Sequence, residues 1–543
     1  MFVPVPAPAE MAQWDASALE WGVPADVLME NAAREALSAL HTVLAAEKRT
    51  LCGSRVLLLM GSGNNGGDAA CLARHLLDEG AVPLVVHARA LSRMRGSAGR
   101  FARLARRLGV SFQPLSVSGD LTRVCAAFPP DIVVDGLLGT GFHGQLRPRE
   151  LNVVRAINGL RSSALIFSLD IPSGLDGGNG RPRPEAVRAH ATVTFQAAKP
   201  GLIVPDAREY TGELLVCPIG LPRKVMEHVP ASFVMWQECG EARHIPPACP
   251  RHKGEAGRVL VLGGSAAMTG APRLAALGAL RAGAGLLVVA APEGAALPIR
   301  TGLPEAVVHA LPAGSDGGEW HAGQMVVLQG ELAACRAHGA LVVGPGMGRG
   351  NGAEKCVRAL LEEPDRPPLV LDADALFALA QEPELFALLS PRDVLTPHPG
   401  EAAVLLGLTA GEVQADRFAA HARLRELAPS CWVLKGEGTL SGAAGTPLCL
   451  SPWSVPQLAV GGSGDVLAGV IAALLASGQD AVRAAALGVE IHARAGLFLA
   501  ERWPDRGNGP REIADAVSLA RAAMDIPRPG EEELRCAAYS LKG

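Results

Sequence analysis

Residues 59–72 read LMGSGNNGGDAACL, and the reading of this stretch decides the fold. It follows a short, nearly continuous apolar run, RVLLLMG (Arg55–Gly61), and leads into DAACLARHLLDEG, whose apolar residues recur at helical spacing before a closing glycine. Such a run, a glycine turn and an amphipathic helix make the first half of a βαβ unit. The turn is neither GxGxxG before an ordinary apolar helix nor a loop ending in GK[ST]. Gly61, Gly63, Gly66 and Gly67 let the backbone turn tightly and come close to a ligand. A helix starting near Asp68 would offer free N–H groups to an anion, with Asp68 as its cap. Asn64 and Asn65 add amides that donate or accept. A plain structural turn is the alternative.

Outward from this loop the rhythm repeats. PLVVHA, PDIVVDGLLG and ALIFSLDIPSG read as further strands separated by helical stretches, the pattern of a parallel sheet covered on both faces. Their polar residues stand just after the strands, where open α/β sheets bind ligands. From Met226 the chain reads MEHVPASFVMWQECGEARHIPPACPRHKG, rich in proline and charge, and a seam is predicted near Pro222–Pro250. A second strand–helix series then starts at GRVLVLGGS. The predicted fold class is α/β throughout, with a first domain at 1–225, a linker at 226–249, a second domain at 250–508 and a peripheral tail at 509–543.

The 543 residues are 49% hydrophobic and 19% charged, enough to bury sizeable cores. A net charge of -4 leaves no broad electrostatic footprint for nucleic acid. The densest basic run, Arg89 to Gly109, has the spacing of a solvated helix face. Eleven scattered cysteines without a CxxC pair argue for thiols in a reducing cytoplasm. No apolar run is long and uncharged enough for a membrane span. The apolar content is compatible with homo-oligomer faces and equally with buried helices.

Three strand ends deliver Asn65, Asp135 and the Asp170–Ser173 pair to one crevice. Together they offer oxygens suited to a hard cation and one carboxylate free for acid–base work. The stretches GSGNNGGDA, VDGLLGTGFHG, SLDIPSGLDGGNG and ATVTFQAAKPGL resemble the NAD(P)H-hydrate epimerase family over roughly residues 10–225. That resemblance implies a Rossmann-like three-layer sandwich. It implies contacts to the hydrated cofactor from Asn64, Asn65, Gly66, Gly67 and Asp68, and potassium ligands at Asn65, Asp135 and Ser173. Gly139, Thr140, Gly141, Phe142, His143, Gly144 and Gln145 would wrap the substrate's phosphates, and Asp170 would be the acid–base residue against the ring. The family's loop usually ends GGDG, whereas here Ala69 follows Asp68.

In the second half GGSGDVLAG places Gly461, Gly462 and Gly464 before Asp465. A glycine turn opening an apolar helix forms an anion hole from backbone N–H groups, and a carboxylate at its mouth can take a hydroxyl proton; an N-cap aspartate is the plainer reading. LDADAL sets Asp372 and Asp374 just past one strand, TPHPGE sets His398 and Glu401 past another, and LKGEGT sets Lys435 and Thr439 past a third. With HKGEAGRVLVLGGS, MTGAPRLAALGALRAGAGLL and VVGPGMG, these resemble the ribokinase-like superfamily and, within it, the ADP- or ATP-dependent NAD(P)H-hydrate dehydratases, over about residues 250–505. The resemblance implies substrate contacts at Ala271, Gly348, His398 and Asp465, with Asp465 as the base. It implies adenine-nucleotide contacts at Lys435, Gly436, Glu437, Gly438, Thr439 and Gly464, and Mg2+ as companion to the nucleotide phosphates. One departure precedes the glycine turn: the family's Asn-Pro-Gly-Met-Ala-Thr stretch is replaced by SVPQLAV.

Jointly the two resemblances imply metabolite repair in which hydrated NADH and NADPH are epimerised by the first domain and dehydrated by the second, with ADP giving AMP and phosphate. Two other readings stand beside this one. A ribokinase-like small-molecule kinase would share the turn and Asp465 without the asparagine loop. A binding or scaffold module would keep the sheet and not the polar set.

Overall fold

The computed structural model describes residues 2–115, 120–237, 256–314 and 319–524. The chain divides into two compact units, Pro4–Val234 and Met235–Gly543 together with Met1–Val3.

In the Pro4–Val234 unit seven parallel strands form one sheet, in the order Ser111–Pro114, Val82–His87, Arg55–Met60, Ile132–Gly136, Leu165–Leu169, Ala191–Phe195, Glu213–Cys217. Alternation along Arg55–Met60 explains the layers. Val56, Leu58 and Met60 face one buried cluster, and Leu57 and Leu59 face another. A strand apolar on both faces has to be covered on both. The chain runs outward from Arg55–Met60 in one direction and from Ile132–Gly136 in the other. These two strands are neighbours, so the loops after Met60 and Gly136 diverge and leave a crevice at the switch point.

The helix after the first loop spans Asn64–Asp78, with Gly63 as its N-cap. It therefore begins four residues before the Asp68 start expected from sequence, and Asp68 lies inside it rather than capping it. Two glycines in a first turn lower helix propensity, and packing overrides this. A Cβ on Gly66 would stand 2.2 Å from the Gly61 carbonyl oxygen, and one on Gly67 would stand 2.5 Å from Met29 Cε. The basic run is a helix, Gly96–Arg107, whose buried residues are Ser97, Ala98, Gly99, Ala102 and Ala105, with its arginines outward.

The second unit is α/β as well. Its sheet has 11 strands; from Val307–Leu311 through Leu286–Pro292, Arg258–Leu262, Gly339–Val343, Leu369–Leu371 and Val394–Leu395 to Cys431–Leu434 they are parallel, and Leu440–Gly442 and Leu448–Leu450 continue antiparallel. The apolar helix Ser463–Ala476 crosses Gly270–Arg281 so closely that a Cβ on Gly469 would stand 1.8 Å from the Ala275 carbonyl oxygen. No helix among the described residues is long and apolar enough to cross a membrane. The eight described cysteines are free thiols.

Two expected boundaries move. Residues 226–234, assigned to the linker from sequence, belong to the first unit. Ala231 is buried there, and Trp14 Nε1 donates to the Val229 carbonyl at 2.7 Å. Aperiodic sequence concealed a segment that packs through isolated side chains; residues 238–249 lie outside the described residues. The tail expected from 509 begins instead with a core helix, Pro510–Ala523, whose Ile513, Ala514, Val517 and Ala520 are fully buried against the rest of the second unit. The expected tail beyond Met524 lies outside the described residues.

Ile513→Ala is expected to destabilise the second unit by about 2–4 kcal/mol, the cost of a buried cavity. Denaturant unfolding measures it, and a loss below about 0.5 kcal/mol would make the helix peripheral after all.

Candidate functional site

The first unit gathers its polar residues at the carboxyl ends of neighbouring strands. Asp135, at the end of Ile132–Gly136, is fully buried. Its carboxylate accepts from Ser173 N at 2.8 Å, Ser173 Oγ at 2.6 Å, Ser168 Oγ at 3.1 Å and Leu137 N at 3.3 Å. Burial pushes its carboxyl up, and these donors pull it back. A carboxylate so fully engaged organises loops instead of exchanging protons. Ser173 Oγ in turn accepts from Leu138 N at 2.9 Å.

Asn65 completes the group. Its Nδ2 donates to the carbonyls of Leu138 at 2.6 Å and Leu169 at 3.0 Å. Its Oδ1 is buried and without a hydrogen-bond partner. A buried acceptor left open costs free energy unless something absent from the chain itself satisfies it. Asn65 and Ser173 thus converge on Leu138 and Asp135 on the preceding Leu137, with one oxygen unspent.

Asp170 follows the strand Leu165–Leu169 in left-handed backbone conformation, φ 61°. Its Oδ2 accepts from Thr140 N at 3.2 Å. Its Oδ1 lies 2.7 Å from Lys199 Nζ and accepts from Thr194 Oγ1 at 3.4 Å. Lys199 is 1% exposed and donates also to Thr194 Oγ1 at 2.8 Å and to the Phe195 carbonyl at 3.0 Å, so all three ammonium hydrogens are engaged. Gly139 leaves room for this arrangement, since a Cβ there would meet Asn65 Cβ at 3.1 Å and Asp170 Oδ2 at 3.2 Å. Two more carboxyls face the pair. Asp68 is buried; its carboxyl is held well above the ordinary range by burial first, then by Asp170 and Asp15. Asp15, from the helix Pro8–Glu20, is raised to about 6 by burial, with Lys199 opposing and Asp170 adding to the shift. Around them Asn64, Gly141, His143, Gly144 and Gln145 are exposed, and Phe142 is half-buried.

Lys199 and Asp15 were not singled out from sequence. Lys199 is the only charged residue in ATVTFQAAKPGL, and a cation within so apolar a stretch was an available signal. Asp15 lies on an ordinary amphipathic helix and carried none.

In the second unit three successive strand ends supply one cluster. Lys435 Nζ, after Cys431–Leu434, is 2.6 Å from Asp372 Oδ1 and 3.8 Å from Glu401 Oε2. Asp465 stands in the first turn of Ser463–Ala476, whose N-cap is Gly462 at φ 90°; the side-chain cap considered from sequence is absent. Gly464 lets the turn approach the lysine, for a Cβ there would stand 3.1 Å from Lys435 Nζ. Burial, followed by Asp372, pushes the Asp465 carboxyl up to about 8. Glu401 rises to about 7, chiefly by burial.

His398 has a structural duty here. Its Nδ1 accepts from Gly400 N at 3.0 Å and Glu401 N at 3.4 Å, capping the helix Pro399–Leu406, while His398 N donates to Glu401 Oε2 at 2.8 Å. Burial and then Lys435 lower its basicity, in keeping with a neutral ring whose Nδ1 accepts. Gly348 N donates to Asp374 Oδ2 at 2.8 Å, and Gly346 lies against Ala271, 3.4 Å from its Cβ if given one of its own.

The loop Lys435–Thr439 is held by Arg417, which sequence did not single out. Its guanidinium donates to the carbonyls of Leu434 at 2.9 Å, Lys435 at 3.3 Å and Gly438 at 3.3 Å, and Thr439 Oγ1 donates to Gly436 O at 2.8 Å. Glu437 is exposed. The unusual SVPQLAV approach is anchored: Gln457 Nε2 donates to the carbonyls of Trp503 at 2.8 Å and Pro504 at 3.2 Å, and Asn508 Nδ2 donates to Gln457 O at 3.0 Å.

Two family models match, one described as YjeF-related protein N-terminus at residues 25–201 and one as NAD(P)H-hydrate dehydratase at residues 259–517. The bifunctional NAD(P)H-hydrate repair enzyme Nnr of Moorella thermoacetica is 35% identical over 93% of this chain and 94% of its own length. The chain belongs to the bifunctional NAD(P)H-hydrate repair enzyme family. The relative of the same name from Coxiella burnetii is 35% identical over 90% of this chain and 93% of that one. The one from Thermanaerovibrio acidaminovorans is 36% identical over 95% and 98%. The two family models and these relatives together extend over both units of the repair enzyme chain.

Lys199→Met leaves a buried Asp170 carboxylate without its cation. A loss of about 3–5 kcal/mol in denaturant unfolding is expected, and a smaller loss once Asp170→Asn is added. A coupling near zero in this double-mutant cycle would show the ion pair to be energetically idle.

Proposed function

We propose that this chain repairs hydrated NADH and NADPH, its first unit epimerising the R and S hydrates at Asp170 and its second dehydrating the S hydrate at Asp465. The observation that carries the reading is the pair of carboxylate clusters, each closed around one lysine at the carboxyl ends of parallel strands, in a chain whose family performs both steps. The small-molecule kinase reading accounts for only the second cluster.

Hydroxide is a poor leaving group. Moving a phosphoryl group onto the hydroxyl converts it into a good one, and elimination restores the ring double bond. In this reading Asp465 takes the hydroxyl proton, and the Gly461–Gly464 turn, which opens a helix, holds the moving phosphoryl oxygens. ADP is the nucleotide we assign, contacting Lys435, Gly436, Glu437, Gly438, Thr439 and Gly464. Arg417 keeps that loop in shape. The substrate contacts are assigned to Ala271, Gly348, His398 and Asp465; the His398 ring would meet substrate from its capping position. Mg2+ is the ion we assign as companion to the nucleotide phosphates. When bound, that ion neutralises nucleotide phosphate charge.

In the first unit, Asn64, Asn65, Gly66, Gly67 and Asp68 are assigned to the hydrated nicotinamide, and the 139–145 loop to the phosphates. The unspent Asn65 Oδ1, beside Asp135 and Ser173, fits a weakly charged cation such as K+. When bound, it would order the Leu138 loop on which the phosphate contacts depend.

A spectrophotometric assay on mixed R and S hydrates, with ADP, ATP or neither and with potassium or sodium, tests the whole reading: absorbance of the reduced nicotinamide should return only with nucleotide. Asp170→Asn should stop consumption of the R hydrate while S turnover continues, and Asp465→Asn should stop dehydration while the epimers still interconvert. Accumulation of a stable phosphorylated product would favour the kinase reading.

Because Asp465 must be ionised to accept a proton and its carboxyl is raised to about 8, kcat/KM for the S hydrate should climb as pH rises through about 8. A flat profile from pH 6 to about 9 would remove Asp465 as the base.

A further inference from the structure

Asp170 and Asp68 are both carboxyls of the first unit, and their surroundings differ. Asp170 is tied by three donors, one of them the buried Lys199 ammonium at 2.7 Å. Asp68 is 8% exposed, and among the described residues its carboxyl has neither a hydrogen bond nor an ion pair. It sits inside the glycine-flanked first turns of Asn64–Asp78, on the helix that also presents Asn64 and Asn65. Its charged surroundings are Asp170, Asp15 from the helix Pro8–Glu20, and Lys199 behind Asp170. Of these two carboxyls only Asp170 has a cation beside it, and burial without one favours the neutral form of Asp68.

We propose that Asp68 and Asp170 are the acid and the base of a ring-opening epimerisation, Lys199 being the positioning residue that determines which carboxyl does which. The inference rests on the epimerase reading of the first unit and assigns its chemistry. The hydrated ring is a hemiaminal at C6, with the hydroxyl carbon bonded to ring N1. Asp170 takes the hydroxyl proton, and the oxygen lone pair forms the C6 carbonyl. The C6–N1 bond breaks, its electron pair moves to N1, and Asp68 delivers the proton that N1 requires. The aldehyde turns about the C5–C6 bond. N1 then adds to its other face, returning its proton to Asp68, while Asp170 reprotonates the oxygen. Every proton and electron pair is accounted for, and no oxidant, nucleotide or metal takes part. A neutral acid is needed at N1 because an enamine nitrogen is a poor leaving group without one. Burial, then Asp170 and Asp15, hold the Asp68 carboxyl well above the ordinary range and so favour its neutral form, which supports the assignment.

The test uses the full chain, purified R hydrate and no nucleotide, with the epimers separated chromatographically. Asp68→Asn keeps the shape and an N–H donor but carries no transferable proton. Its kcat should fall by about 100-fold or more with KM changed less than about threefold. The wild-type loss of activity at high pH, where Asp68 ionises, should disappear from its profile. Asp68→Glu should recover part of kcat. Lys199→Arg, which keeps the cation, should retain the direction of the wild-type pH profile, whereas Lys199→Met should displace it. An Asp68→Asn chain within about threefold of wild-type kcat, or one that keeps the high-pH loss, overturns the acid assignment while leaving the epimerase reading intact. A kcat loss that Asp68→Glu does not relieve at all, accompanied by a KM rise of similar size, also overturns it, because that is the pattern of lost binding. A wild-type chain that leaves the R hydrate unconverted overturns the epimerase reading itself.

Discussion

A charge removed from water has to be met by an opposite charge or a full set of hydrogen bonds. Both clusters of this chain obey that constraint in the same manner. In the first, Lys199 is enclosed by Asp170, Thr194 and a backbone carbonyl. In the second, Lys435 lies against Asp372, with Glu401 close by. Each lysine stabilises one carboxylate outright. The remaining carboxyls of each cluster, Asp68 and Asp15 in one and Asp465 and Glu401 in the other, are left with raised affinity for protons. A single cation that partners one carboxyl thus leaves the others of its crevice holding protons more tightly than usual, which suits them to proton-transfer chemistry.

The sheets make these clusters possible by removing side chains where backbones must cross. Gly66 meets the Gly61 carbonyl and Gly469 meets the Ala275 carbonyl at distances no Cβ permits. The first contact brings a helix start directly over a strand end, and the second lets two helices cross closely. The functional carboxyl then projects from a rigid element rather than from a free loop. Asp68 and Asp465 are both carried in this way, each in the opening turns of a helix that follows a glycine N-cap. The two units differ in what surrounds that helix. The first closes its site with loops gathered on Leu138, and the second with a loop pinned by Arg417.

Much of the architecture was legible in the chain because its signals are local. Strands apolar on both faces, a glycine turn and a helix with a closing glycine announce parallel α/β units without reference to distant residues. Asn65, Asp135, Asp170, Ser173, Asp372 and Lys435 were visible for a related reason: each is polar and sits at or soon after the end of an apolar strand, while Asp465 follows a glycine turn that opens an apolar helix. The boundaries were less legible. The helix Pro510–Ala523 carries a modest polar–apolar pattern near the chain end and reads as a tail, and only its packing partners reveal a core element. Residues 226–234 anchor through scattered contacts such as Trp14 to Val229, which follow no period.

The order of residues by itself determined that there are two α/β units, where their strands lie, and which polar groups reach the strand ends, because those properties follow from near-neighbour spacing. Only the tertiary structure decided how charge is shared among those groups. Asp15 and Asp68 are 53 residues apart in numbering, and Lys199 is more distant still, yet the three act on one carboxylate. Their protonation depends on burial and on distances across the crevice, and a linear pattern contains neither.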